Sequence, residues 1–115
     1  MPPTLADRLV HILDAINTIQ RSLAHKTPQS FENDLLLRLA IERSLEIISE
    51  ASRRVPAEVK AQQSEINWLG MADLGNLLRH AYHRVDAKTL WDIASRDLPP
   101  LKTFVERVIQ EAGES

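Results

Sequence analysis

A chain of 115 residues, 43% apolar and 26% charged, has the size and makeup of one ordinary globular domain with a single modest core. It has no cysteine, which excludes disulfides, thiol nucleophiles and thiolate metal sites, and no apolar run approaches the roughly 18 residues a membrane span needs. A net charge of −2 argues against a generic nucleic-acid coat but leaves room for a local basic groove.

Only three glycines are present, and Leu, Ala, Ile, Glu and Arg dominate, which favours helix. Leu5, Leu9, Ile12, Ile16, Ile19 and Leu23 recur every three or four residues. They predict an amphipathic helix over residues 4–24 with Thr4 as its N-cap. After a turn at 25–29, Ser30 is placed to cap a second helix that begins at Phe31. This helix carries Leu35, Leu39, Ile41, Leu45, Ile48 and Ala51 inward and ends before Pro56. Arg53 and Arg54 in its last turn suit the negative end of the helix dipole.

Ser64 is the expected cap of a third helix, running from about residue 65 to 82 or 83. Asp86 caps a fourth over 87–95, with Leu90, Trp91 and Ile93 available for packing, and Trp68 and Trp91 read as core. A corner at Asp97-Leu98-Pro99-Pro100 opens a fifth helix that buries Leu101, Phe104, Val105 and Val108. No β pattern, repeat or linker intervenes. The expectation is one all-α domain over 1–115, an antiparallel bundle of four to five helices. Met1-Pro2-Pro3-Thr4 does not open a signal peptide, so a cytoplasmic protein is expected.

The third helix holds the densest chemistry. On a wheel at about 100° per residue, Met71, Leu74, Leu77, Leu78 and Ala81 share one side. Asp73, Asn76, Arg79, His80 and His83 share the other, and Tyr82 lies on the flank nearest Met71. One face can enter a core while the other presents donors, acceptors and a titratable ring. His80 and His83 with Asp73 fall short of the ligand set a metal needs, and His11 and His25 stand alone. Glu42, Glu46 and Glu50 lack the Glu-x-x-His partners of a carboxylate-bridged metal bundle. No nucleophilic triad or phosphate-cradling glycine loop exists. The chemistry that remains is His as general acid or base beside Arg as a stabiliser of phosphate charge. That pair suits RNA cleavage, in which a 2′-hydroxyl supplies the nucleophile. Arg79, Arg84 and the Arg53-Arg54 pair could supply a basic groove if brought together.

The order Ile66-x-Trp68, Met71, Asn76-x-x-x-His80-x-Tyr82, Val85-Asp86, Trp91 and Asp97-Leu98-Pro99-x-Leu101 resembles the HepT-like branch of the HEPN superfamily. Glu46-Ile-Ile-Ser-Glu50-Ala51 is similar to the Ile-Gly-Glu-Ala segment of that family. The resemblance spans nearly the whole chain. It implies a HEPN-like helical bundle that forms a homodimer and serves as the ribonuclease toxin of a HepT/MntA-type toxin–antitoxin pair. It further implies metal- and cofactor-independent RNA cleavage, and a minimal nucleotidyltransferase antitoxin that silences the toxin by adenylylating a tyrosine.

Carried over by position, His80 matches the catalytic histidine, Tyr82 the modified tyrosine, and Asn76 the polar residue after the family arginine. That arginine should stand at 75, where this chain has Gly75. Side chains on a helix lean toward its N-terminus, so the Arg79 guanidinium can reach back over the space glycine leaves. Close approach of another helix is the alternative reason for Gly75. Asp73, His83 and Arg84 are candidate groove residues. A different class of function stays open: a catalytically inactive HEPN module that docks a nucleotidyltransferase or a nucleotide. A structural adaptor whose polar face is a protein interface is a third.

Overall fold

The computed structural model describes residues 3–114, apart from the side chains of Tyr82 and Glu114. The described residues form helices and turns with no strand, as the composition and periodicity predict. Helix α1 (Leu5–Leu23) starts at Thr4 in a capping box: Thr4 Oγ1 accepts the Asp7 N–H at 3.1 Å, and Asp7 accepts the Thr4 N–H at 2.8 Å. These bonds, chiefly the one from the Thr4 backbone, hold the Asp7 carboxyl below its ordinary pKa. Leu9, Ile12, Ile16 and Ile19 are all but sealed from solvent.

The expected second helix is two helices. Thr27 rather than Ser30 is the cap, because the extended conformation required before Pro28 suits an N-cap, and Pro28 supplies a pre-set first turn. Ser30 instead closes the box, donating its N–H to Thr27 Oγ1 and accepting the Thr27 N–H. The short α2 (Pro28–Glu32) buries Phe31 and stops at Asn33; Asp34 then caps α3 (Leu35–Arg53) through the Leu37 N–H at 3.0 Å. Ile41, Leu45, Ile48 and Ala51 are buried as predicted. Leu35 and Leu39 are not; they are 67% and 50% exposed, on the first turns of α3 where no neighbouring helix covers them.

A helical turn α4 (Ala57–Lys60) and a 3-10 turn follow, and α5 (Trp68–His80) begins three residues later than Ser64 would place it. Asn67 is its cap, accepting the Gly70 N–H at 2.9 Å. Asp86 caps α6 (Ala87–Asp92) as expected, and the Thr89 side chain and N–H hold its carboxyl below the ordinary value. The expected corner at residues 97–100 is a widened π-helical turn, Ile93–Asp97, leading directly into α7 (Leu98–Glu114). Two prolines at 99 and 100 would press on the carbonyls of residues 95 and 96, and a wider turn moves those carbonyls away.

Helices α1, α3 and α7 make the core with α6, and α5 lies along α3. Trp68 and Trp91 are partly buried against this core; the Trp68 ring meets Phe104 edge-on at 5.6 Å. The functional consequence of this order is that α5 is gripped on its α3 side and left open on its far side.

Candidate active site

The grip between α3 and α5 is polar and close. Ser49 Oγ accepts the Gly75 N–H at 3.1 Å and donates to the Ala72 carbonyl at 3.0 Å. Arg53 donates to the same carbonyl through Nε at 3.2 Å and Nη2 at 2.9 Å. A Cβ at position 75 would lie 2.5 Å from Ser49 Oγ and 3.0 Å from Ser49 Cβ. Gly75 is therefore a close-approach glycine, and the helix contact explains why no side chain stands there.

Beyond that contact the chain rises into the exposed polar face. Arg79 reaches back toward the N-terminus of α5: its Nη1 lies 3.4 Å from where a Cβ of Gly75 would be, and its Nη2 donates to Asn76 Oδ1 at 2.8 Å. The guanidinium thus occupies the space over Gly75. Asn76 lies one turn before both Arg79 and His80 on the exposed side, and all three residues are exposed. Asp73 is exposed one turn further back. Among the described residues, neither Arg79 nor Arg84 has a carboxylate within 4 Å.

The structure breaks the signature where a continuous helix was expected. α5 ends at His80; Ala81 turns away at φ −147°, ψ 40°, and Tyr82–Arg84 forms a 3-10 turn. His80 and His83 are consequently not on one helical face, and His83 and Arg84 sit exposed on the turn. The Tyr82 ring, the expected modification site, lies outside the described side chains. Arg38 anchors this turn from below. It donates to the Val85 carbonyl and, through Nε, to Glu42 Oε2 at 2.9 Å, with Glu42 only 8% exposed. Sequence reading missed both Arg38 and Ser49; each lies on α3, and neither is marked by local spacing.

Among the described residues, no group of three or more His, Cys, Asp or Glu side chains could hold a metal ion. A cavity of about 410 Å³ exists elsewhere, between Met71 and Leu74 of α5 and Ile93, Arg96 and Pro100 of the π turn and α7. None of the polar residues of the candidate site lines it. The candidate site is an open helix face, suited to an extended anionic ligand rather than to a small molecule that must be enclosed.

The result is an all-α bundle that presents an imidazole, an amide and a guanidinium without a described carboxylate partner on one open helix. The chain belongs to the Ribonuclease HepT-like family, whose sequence profile matches residues 12–108. It is 36% identical over 102 residues to a probable ribonuclease HepT of Thermococcus cleftensis, covering 89% of this chain and 93% of that one. A Methanocaldococcus jannaschii protein named as a candidate RNase is 34% identical over 100 residues, covering 87% and 92%. A second protein of that organism, named for gamma-glutamylcyclotransferase and candidate RNase functions, is 31% identical over 107 residues; the chain spans 93% of itself but only 48% of that longer protein. No solved structure matches significantly. The family resemblance drawn from the third-helix signature is borne out. No helix among the described residues is long and apolar enough to cross a membrane.

Proposed function

We propose that the chain is a cytoplasmic, metal-independent endoribonuclease toxin with its site on α5. The observation that carries this reading is the Arg79–Asn76 bond directly beside the exposed His80. In the proposed reaction the 2′-hydroxyl attacks the adjacent phosphorus, and His80 takes its proton. The bond from phosphorus to the 5′-oxygen breaks, a protonated imidazole returns the proton to that oxygen, and a 2′,3′-cyclic phosphate and a 5′-hydroxyl result. Arg79 stabilises the charge that builds on the phosphoryl oxygens, and Asn76 holds Arg79 in place. Asp73, His83 and Arg84 line the path of the RNA.

A homodimer fits this chemistry, since two facing copies supply one imidazole as base and another as acid. Its support is apolar surface left bare on α3 and α5: Leu36 is 80% exposed, Leu69 74%, and Leu39, Ile47 and Leu77 are also exposed. Tyr82 is the proposed acceptor of an adenylyl group from a minimal nucleotidyltransferase antitoxin, where the adduct would obstruct the RNA path.

Purified protein should cleave a mixed-sequence oligoribonucleotide equally fast with and without EDTA, leaving cyclic phosphate ends detectable by mass spectrometry. No cleavage under any condition would favour the inactive binding module, for which the absent arginine at 75 is the supporting observation. Co-expression with a nucleotidyltransferase encoded beside it should add the mass of AMP to the wild-type chain and none to Tyr82→Phe. Adduct retained on Tyr82→Phe would move the modification elsewhere.

A further inference from the structure

We propose that Arg53 is a second phosphate-binding guanidinium of the same site, a role that rests on the RNA-cleavage reading above. Each of the other arginines along α3 and at its C-cap is neutralised by a glutamate. Arg38 pairs with Glu42 at 2.9 Å, Arg43 with Glu46 at 3.2 Å, and Arg54 with Glu50 at 3.2 Å. Arg53 is the exception: among the described residues it has no carboxylate within 4 Å. Among the described residues its side-chain bonds, through Nε and Nη2, go to one backbone carbonyl, that of Ala72.

This arrangement fixes the cation without discharging it. A guanidinium is planar with two usable edges, and the edge formed by Nε and Nη2 is the one committed to Ala72. The remaining edge, formed by the two terminal nitrogens, is left to grip an anion bidentately. Because the plane is already oriented, little side-chain entropy remains to be lost on binding.

The location joins Arg53 to Arg79. The Ala72 carbonyl that holds Arg53 also accepts from Ser49, and Ser49 in turn accepts from Gly75, over which the Arg79 guanidinium lies. Two cations with no carboxylate partner among the described residues are therefore tied to one serine–glycine contact, at Ala72 and Gly75, about one helical turn apart along α5. Held together without an anion they repel, and a phosphodiester backbone relieves that repulsion. Close packing of α3 on α5 excludes a side chain at 75, and the same closeness lets an α3 arginine reach the site.

The test uses a 2′-O-methyl oligoribonucleotide, which binds but cannot be cleaved because its 2′-oxygens are blocked. Fluorescence anisotropy across a salt series is measured for the wild type, Arg53→Ala, Arg53→Gln and Arg54→Ala. Arg53→Gln keeps a donor for the Ala72 carbonyl and so separates charge from any effect on folding. Both Arg53 variants should bind about 5- to 10-fold more weakly and lower the salt slope by about one. Arg54→Ala, whose guanidinium is already paired with Glu50, should bind like the wild type. Wild-type slope and affinity in Arg53→Gln overturns the assignment of Arg53 and leaves the parent reading standing. A wild type that binds no RNA overturns both.

Discussion

Cleavage by His80→Ala should fall by roughly 10²- to 10⁴-fold while its thermal unfolding midpoint stays at the wild-type value. The stability half of that expectation follows from the structure. His80 is the exposed last residue of α5, and among the described residues its ring makes no ion pair and no side-chain hydrogen bond. Removing its ring leaves no buried partner unsatisfied, so a lost rate is attributable to lost proton transfer. Arg79→Ala in the same assay should cost about 10²-fold, the scale seen when one preorganised donor to developing oxyanion charge is removed. Among the described residues its single side-chain partner is the exposed Asn76, so folding is again expected to be intact. Full activity in Arg79→Ala together with a dead His80→Ala would show that phosphate charge is stabilised by another group.

Much of this was readable from residue order, and the gaps have identifiable causes. The helical period placed the faces of α1, the central part of α3 and, apart from the exposed Leu77, α5, because burial of one stripe is what makes those helices stable. Period alone reports that residues share a face, not that another helix covers it. Hence Leu35 and Leu39 were expected inside and stand in solvent at the start of α3. The split between α2 and α3 turned on competing caps: Ser30 can cap a helix, but Thr27 before Pro28 does so with the serine as its reciprocal partner.

The end of α5 was not legible locally, since Ala81 is a good helix former. It is set from a distance, by Arg38 on the Val85 carbonyl and by the Asp86 cap that starts α6. The π turn was similarly hidden: two prolines announce a break, yet a widened turn accommodates them without a corner. At the candidate site, His80, Arg79 and Asn76 could be named from spacing and from the family resemblance. Arg53 could be named as a groove candidate but not tied to α5, and Ser49 could not be named, because both act across a helix contact between residues more than 18 positions apart in sequence.

That contact yields the sharpest structural prediction. Gly75→Arg should destabilise the protein by about 1–3 kcal/mol, the usual range for an overpacked contact, even though leaving glycine gains about 1 kcal/mol of helix propensity. The conflict is with backbone-proximal atoms, since a Cβ there meets both Ser49 Oγ at 2.5 Å and Ser49 Cβ at 3.0 Å. Rotating the hydroxyl away relieves the first and leaves the second. Ser49→Gly removes both atoms, so the double variant should be more stable than Gly75→Arg alone by at least about 1 kcal/mol, a non-additivity that chemical denaturation resolves. The new Cβ would also sit 3.4 Å from Arg79 Nη1, in the space that guanidinium now fills. Arg79 must then yield its place, and in the double variant Arg79→Ala should cost far less cleavage activity than it does in the wild type. A stable single variant Gly75→Arg would show that α3 and α5 are not held as close as Ser49 and Gly75 require, and the relocation of the guanidinium to position 79 would lose its physical cause.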